Sequence, residues 1–389
     1  MVEPRFKNAL VDPKRGQPMI NREKINSLQP PSVSIVIPVS IPDNIKECLQ
    51  SLRKTNYSNL EIIITVNNSS HAVVTKITAD IKETAEKFPR DIRFKLITKC
   101  AALGYAAACN IGFRASTGQY VIFLNDDVVV SPNLVSELVK IVEEEDDIAC
   151  VQPKILSRRN LKMFDYAGAA GGFIDIYGIP FCAGRIFDVI EEDRCQYDDI
   201  KDIFWACGVA LFCRRAVLDE IGLFDEEFFS YMEEIDLAFR VLLRGYRIVF
   251  APKAEVHHLG SATTTKLNVN RDYLNYRNNF LMLLKNYDAN VLLGILAPRF
   301  FLDMINFLTR LHQGNARLAM NIPRAYSDLL TRKLKHALRE RASVRRLRKV
   351  NSNYLRKRTL TSSIAILYKI GGVRYFQQVR DLMPCVGEE

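Results

Sequence analysis

The chain has 389 residues, of which 48% are hydrophobic and 25% charged, an ordinary globular composition. The length exceeds what one core usually supports, so one large domain with an appendage is expected. Nine cysteines occur without a C-x-x-C pair, which argues against a disulfide framework or a zinc site and for reduced, buried thiols in a cytosolic setting. The net charge of +10 is localised: twelve Lys and Arg stand against Glu340 alone between Thr331 and Arg358, a net of +11, and subtracting this leaves −1 for the rest.

The first thirty residues are polar, broken by Pro4, Pro13, Pro18, Pro30 and Pro31, and lack the apolar stretch of a secretory signal. From Val33 short apolar runs alternate with helix-like segments. "VSIVIPV" (33–39) and "LEIIITV" (60–66) predict buried strands, and between them Ile45, Cys48, Leu49 and Leu52 recur at helical spacing. "IRFKLIT" (92–98) and "YVIFL" (120–124) add two strands, with helices over 72–87 and 105–116. Ser131 and Pro132 predict a helix start, as N-cap and first-turn proline, running to about Glu145. Residues 156–203 lack periodicity and hold "GAAGG" and "EEDRCQYDD", the pattern of a loop-rich excursion suited to meeting an acceptor. Order returns with a strand in "FWACGVALFCRR" (204–215), a helix over 232–244 and a strand in "YRIVFAP" (246–252).

This alternation predicts an α/β fold with a mostly parallel sheet and helices on both faces. Ligands gather at the carboxyl ends of such strands. Pro38-Val39-Ser40, Asn67-Asn68-Ser69-Ser70 and Asn125-Asp126-Asp127 all stand there.

Asp126 and Asp127 interrupt an otherwise apolar run, "YVIFLNDDVVV". A carboxylate taken out of water is costly unless a cation or donors meet it. Two readings are open: a divalent cation held by oxygen ligands and substrate phosphates, or an Asx-type turn at a strand end. Ser230 and Glu233 fit a capping box, which leaves Glu234 unexplained. A carboxylate beside a metal-phosphate centre is suited to take a proton from a hydroxyl. Asp236 and Arg240, four apart, either form a surface pair or brace a site. Of the adjacent His257 and His258 at most one faces the site, as a metal ligand or a structural residue. "LGYAAACNIG" (103–112) sets Gly104, Asn110 and Gly112 where backbone amides could approach a phosphate. It is neither a P-loop nor G-x-G-x-x-G, so it gives no support to a dinucleotide cofactor.

The order of "SIVIPV", "VNNSS", "LGYAAACNIGFRASTGQYVIFLNDD", "CGVALFCRRAVLDEIGLFDEEFFSYMEEIDLAFRVLLRGYRIVFAP" and "HHLGSAT" resembles the family 2 inverting glycosyltransferases with a GT-A fold. Within that family the chain looks most like bacterial rhamnosyltransferase-type members that build polysaccharides on lipid carriers. The resemblance implies a polar extension over 1–31 and a catalytic domain over 32–265, split into a nucleotide-binding half (32–130) and an acceptor-binding half (131–265). A helical, basic region follows over 266–389. It also implies a nucleotide-diphosphate sugar donor, dTDP-rhamnose or a UDP-hexose. Pro38, Val39 and Asn67 would lie by the nucleotide, Gly104 and Asn110 would belong to the same binding region, and Asp126 would lie near ribose or phosphate. Asp127 would ligate Mg²⁺ or Mn²⁺ on the diphosphate, completed by His258, with His257 the alternative. Glu234 falls at the catalytic base, and Asp236 and Arg240 belong to the same signature.

Three departures stand out: the family usually has Asp at Asn67, Asn at Ala102 and Asp at Glu234. "RDYLNYRNNFLMLLKNY" (271–287) places Tyr276, Arg277 and Asn278 where relatives have a segment packed under the site. The most apolar segment, Ala289 to Leu311, is broken by Pro298, Arg299 and Asp303, and no bilayer-spanning helix is expected there. With the basic stretch that follows, it reads as an anchor on the cytoplasmic face of a membrane, a docked helix or homodimer contact being the competing use. No recognition fold for nucleic acid accompanies the charge. The expected activity is sugar transfer to a glycan or lipid-linked acceptor. The alternative is a non-catalytic scaffold of a membrane assembly.

Overall fold

Val, Ile and Leu crowd the first strands so densely that both faces of the sheet must be covered. The computed structural model describes residues 29–383 apart from 42–43, 69, 90–91 and 261–269. Most of the polar extension, Ser69 and the end of "HHLGSAT" therefore lie outside the described residues. Strands β1 (Val33–Val39), β2 (Leu60–Asn67), β3 (Arg93–Lys99) and β4 (Tyr120–Leu124) are parallel neighbours in the order β3-β2-β1-β4. Helices α1 (Ile45–Leu52), α2 (His71–Ala85) and α3 (Tyr105–Ala115) make the crossovers. Gly112 sits inside α3 where a Cβ would stand 2.3 Å from Val36 Cγ1, so this glycine serves close helix–sheet packing rather than a phosphate.

The run "YVIFLNDDVVV" is two strands and a turn. After β4 the chain turns through Asn125-Asp126-Asp127 into β5 (Val128–Val130), which pairs antiparallel with a strand far along the chain. Helix α4 (Leu134–Glu144) starts later than Ser131-Pro132 suggested. The Ser131 carbonyl accepts the Leu134 N–H in a preliminary turn, and no side chain caps the helix.

Strand β6 (Ile148–Ser157) opens the second half. The expected loop-rich excursion contains a four-stranded antiparallel sheet, β7 (Gly172–Ile174), β8 (Pro180–Cys182), β9 (Arg185–Ile186) and β10 (Val189–Ile190). Strands of two or three residues are too short to show a period of two, which is why the sequence hid them. After β11 (Lys201–Asp202), residues 204–209 form a loop, and the strand expected over 204–215 is confined to β12 (Ala210–Arg214). Helices α5 (Arg215–Ile221) and α6 (Glu233–Leu243) lead to β13 (Arg247–His258), which is longer than "YRIVFAP" and contains both histidines. β12 runs antiparallel to β4 and β6, and β13 parallel to β6, completing a mixed, mostly parallel sheet.

Helices α7 (Arg271–Asn286), α8 (Ala289–His312), α9 (Ala316–Ala319), α10 (Asn321–Asp328) and α11 (Leu334–Leu347) follow. α7 packs against α6, α10 and α11, which ties this region to the sheet-bearing part. α8 continues through Pro298 without a break. Contrary to the sequence expectation, it is long and apolar enough to cross a membrane by length and composition, with a mean hydropathy of 1.7 over its best window. The eight described cysteines are free thiols, six of them buried.

Candidate active site

The strand ends converge on a cavity of about 510 Å³. Pro38, Asn67, Gly104, Asp126 and Asp127 reach it from the parallel half, and Glu233, Glu234 and His258 from the other. Asp127 and His258 are brought together because β5 and β13 pair, with Val128 opposite His258 and the Leu259 N–H donating to the Asp127 carbonyl.

Asp126 and Asp127 are both buried. Burial, then the charge of Asp127, pushes the Asp126 carboxyl well above the usual range. Burial acts the same way on Asp127, but the His258 imidazole overcomes it and holds that carboxyl low. His258 Nε2 lies 3.2 Å from Asp127 Oδ1, while Nδ1 lies 2.9 Å from Asp165 Oδ1. Burial opposes a charge on His258, yet the two carboxylates raise its pKa to about 10. The Asp127 contact is the longer of the two. Asp127 Oδ1 and Asp126 Oδ2 have no hydrogen-bond partner among the described residues.

Asp126 Oδ2, which has no partner, and Asp127 Oδ1, held only by the His258 ring, suit a divalent cation, which would take the place of the Nε2 proton. No group of three or more His, Cys, Asp or Glu among the described residues is arranged to hold a metal unaided. A cation held at Asp126 and Asp127 would need its remaining ligands from elsewhere, as a substrate phosphate can supply. His257, on the opposite face of β13, is half-buried and its pKa is lowered by burial. Of the two histidines, His258 is the one that lines the cavity.

Across the cavity, Glu233 and Glu234 open α6. The expected Ser230–Glu233 capping box does not form. Met232 occupies the N-cap position in a left-handed conformation, with φ 71°, and no side chain caps the helix. Phe229 and Tyr231 are also left-handed, at φ 64° and 71°, which is strained for residues with a Cβ. The loop is held from beneath: Asn278 Nδ2 donates to the carbonyls of Phe228, Ser230 and Tyr231 at 2.7 to 2.9 Å, and Arg277 donates to those of Glu227 and Phe228. Arg277 and Asn278 are thus the segment under the site, whereas Tyr276 turns to Asn306. From above, Gly104 makes the close approach, since a Cβ there would stand 2.5 Å from the Phe229 carbonyl oxygen.

The result is a pair of enclosed acids. Burial raises Glu234 to about 7, partly offset by backbone amides of Met232, Glu234 and Ile235. Burial and then the neighbouring Glu234 push Glu233 well above the usual carboxylate range. Glu233 Oε2 and Glu234 Oε2 lack hydrogen-bond partners among the described residues.

Several expected site residues have other work. Asn67 lines the cavity, but its Oδ1 accepts the Leu103 N–H at 2.8 Å and its Nδ2 donates to the Gly104 carbonyl at 3.1 Å, so it shapes the neighbouring loop. Val39 is fully buried and does not line the cavity. Asn110 joins α3 to the Phe224 backbone in both directions. Asp236 and Arg240 lie behind the cavity wall because they fall on the inward face of α6. Asp236 meets Lys285, Asn286 and Arg240, and Arg240 donates to the carbonyls of Ile221, Gly222 and Leu223.

Three cavity residues carried no local signal: Asp165, Tyr166 and Arg271. Asp165 is placed by its backbone bond to Ile155 at the end of β6. The Arg271 guanidinium, at the start of α7, lies 4.8 Å from the Tyr166 ring centre and brings positive charge to the rim. Only the partner across 93 residues marks Asp165, and no sequence period encodes that.

The sheet order and this cavity define the chain as a GT-A-type α/β protein. Residues 30–275 match the family described as "Glycosyltransferase like family 2", and the chain belongs to it. The chain is 25% identical over 237 residues to an O-antigen biosynthesis protein of Myxococcus xanthus, 60% of this chain and 18% of that one. It is 30% identical over 188 residues to the N-acetylglucosaminyl-diphospho-decaprenol L-rhamnosyltransferase of Mycobacterium tuberculosis, 43% of this chain and 60% of that one. The matches thus span less than two thirds of these relatives. Among solved structures, GalNAc-T7 with UDP, GalNAc and Mn²⁺ superposes with a TM-score of 0.51 at 16% identity, covering 67% of this chain and 48% of that one, which is likeness of fold alone.

Proposed function

We propose that the chain is an inverting, metal-dependent glycosyltransferase that moves a sugar from a nucleotide diphosphate to a hydroxyl of a glycan or lipid-linked glycan. A dTDP-rhamnose or UDP-hexose donor fits the rhamnosyltransferase likeness, and the work site is the cytoplasmic face of a membrane. One observation carries the reading: the Asp127–His258 pair and the near-neutral Glu234 line the same cavity.

Pro38 and Asp126 would face the nucleotide, with Asn67 and Gly104 shaping that wall and Asp127 and His258 holding Mg²⁺ or Mn²⁺. The cation, when bound, supplies Lewis-acid neutralisation of the leaving diphosphate. Arg271 adds positive charge at the rim. Glu234 takes the proton from the acceptor hydroxyl as its oxygen bonds to the anomeric carbon. The bond from that carbon to the diphosphate oxygen breaks, and the diphosphate leaves with the electron pair. One displacement from the opposite face inverts configuration, by the stereochemical logic of inverting glycosidases. A base with a pKa near neutrality is both ionised often enough and basic enough to work.

The test is incubation with a panel of nucleotide sugars, with and without EDTA, reading nucleotide release and donor-induced change in melting temperature. Metal-dependent release from at least one donor is expected. No release and no thermal shift from any donor would favour a non-catalytic scaffold.

A further inference from the structure

An amphipathic helix on a protein surface ordinarily turns its apolar stripe inward and its charges to water. Helix α8 departs from this over its second half. Its inward face carries Leu292 and Ile295 and then Arg299 and Asp303, both buried and paired with each other. Arg299 also donates to the Tyr177 carbonyl at 3.2 Å and to Asn279 Oδ1 at 2.7 Å, and Tyr326 donates to Asp303. Farther along, Asn306 meets Tyr276, and Arg310 meets Asp272 at 2.7 Å. The charges that interrupt the apolar run are thus absorbed by the protein.

The outward face is left apolar. Leu293 is 74% exposed, Phe301 65%, and Ile305 and Leu308 56% each, all at helical spacing on one side. Leu318 and Met320, just beyond the helix, are exposed as well. Isolated exposed leucines are ordinary, but a contiguous stripe of this kind marks an interaction surface.

Charge indicates what covers it. Part of the basic tail is spent inside the fold: Lys333 meets Glu227, His336 lies 2.8 Å from Asp225, and Arg341 reaches the Leu284 carbonyl. The remainder faces solvent: Arg332 and Arg339 are exposed though paired with Asp328 and Glu340, and Lys335, Arg345 and Arg346 are exposed on α11 and carry the surplus, with Leu330 and Leu338 also outward. An apolar stripe with a cationic surplus complements a bilayer carrying anionic headgroups. A second copy of this chain would bring the same positive charge to the contact.

We infer that the outward face of α8, with Leu318 and Met320, beds into the interfacial layer of an anionic membrane, and that the exposed arginines and lysines of α11 and its approach supply the electrostatic attraction. The helix lies on the bilayer rather than across it, because Arg299, Asp303 and Arg310 hold its other face on the protein. The inference rests on the proposed lipid-linked acceptor only for its purpose, not for its geometry.

The experiment is co-sedimentation of the full chain with phosphatidylcholine vesicles, with and without about one quarter phosphatidylglycerol, near physiological salt. Binding to the anionic vesicles at least about tenfold stronger than to the neutral ones is expected. The Phe301→Glu/Ile305→Glu double variant should lose about tenfold or more of that binding. Lys335→Gln/Arg345→Gln/Arg346→Gln should lose mainly the preference for anionic vesicles. All these side chains are exposed, so unchanged melting temperatures are expected. Failure of the wild type to bind either vesicle, or equal binding by the double variant, would overturn the inference. So would a dimer in sedimentation equilibrium that the double variant dissolves, since this would assign the face to a second copy. Donor hydrolysis measured on the same samples without vesicles separates a failure of docking from a failure of the transferase reading.

Discussion

His258 stands between two carboxylates, with Asp165 Oδ1 2.9 Å from Nδ1 and Asp127 Oδ1 3.2 Å from Nε2. By accepting from Nδ1, Asp165 directs Nε2 toward Asp127 and the cavity, the arrangement in which a carboxylate orients a metal-binding imidazole. Asp165→Asn should therefore weaken Mn²⁺ binding in the presence of a nucleoside diphosphate by roughly 10- to 100-fold. Manganese electron paramagnetic resonance reads this directly, without turnover. Unchanged affinity would remove Asp165 from that role.

Glu234, raised to about 7, should give the proposed transfer an acidic limb. The carboxylate is the working form, so kcat/KM should rise roughly tenfold per pH unit below that value and level off above it. Glu234→Gln should lower transfer by roughly 10²- to 10⁴-fold while donor binding, followed by thermal shift, is retained. A flat profile from pH 5 to 8 in the wild type would count against Glu234 as base.

The same acids cost stability at neutral pH. The folded pKa of Glu234 is about 7 against an ordinary value of 4.5, so the folded state holds its proton longer than the unfolded state. Its contribution is fully present below the unfolded value and is lost as pH rises through the folded one, and each tenfold difference between the two acidities is worth about 1.4 kcal/mol. Glu234→Gln does not titrate, so its stability relative to wild type should increase between pH 4.5 and pH 7. Urea unfolding at both ends of that window measures the difference, and a pH-independent gap would mean that Glu234 keeps an ordinary acidity in the folded protein.

Much of the fold was legible because β1, β2 and β4 are buried apolar runs joined by helices, and those elements appear where the apolar pattern puts them. The carboxylates at the strand ends were legible for the same reason, since Asp126 and Asp127 stand out from their surroundings. What was not legible depends on contacts far apart in sequence. The Ser230–Glu233 box yields to a left-handed loop because Arg277 and Asn278 hold that loop from beneath. Asp236 and Arg240 read equally as a surface pair or a brace in the sequence, and only their contacts with Lys285 and the Ile221–Leu223 carbonyls put them behind the cavity wall.

Gly104 couples the two walls of the cavity, since it combines φ 86° with a Cβ position 2.5 Å from the Phe229 carbonyl oxygen. Gly104→Ala would require a left-handed backbone and displacement of the loop that sets Glu234, at a cost of roughly 1–3 kcal/mol. The Asp127–His258 pair, set by the pairing of β5 with β13, should be spared. The expected outcome is a large fall in kcat with Mn²⁺ affinity within about twofold of wild type. Equal losses of both would show that the two walls are not separable.

Lys285 supplies the last test, because its ammonium is buried 3.0 Å from Asp236 Oδ2 and also meets Asp225. Asp225 in turn meets His336 of α11, so the brace behind α6 runs into the C-terminal helices. Removing one partner of a buried ion pair leaves the other uncompensated, at a cost of about 3–5 kcal/mol. Lys285→Met should therefore destabilise by about that amount, and far more than Arg332→Gln at the surface, which should cost about 0.5 kcal/mol or less. Because Asp236 lies behind the cavity wall, the surviving folded fraction should keep the wild-type KM for the donor. Calorimetry together with donor titration below the unfolding temperature separates the two effects. A raised KM at unchanged stability would return Asp236 and its partners to the binding surface.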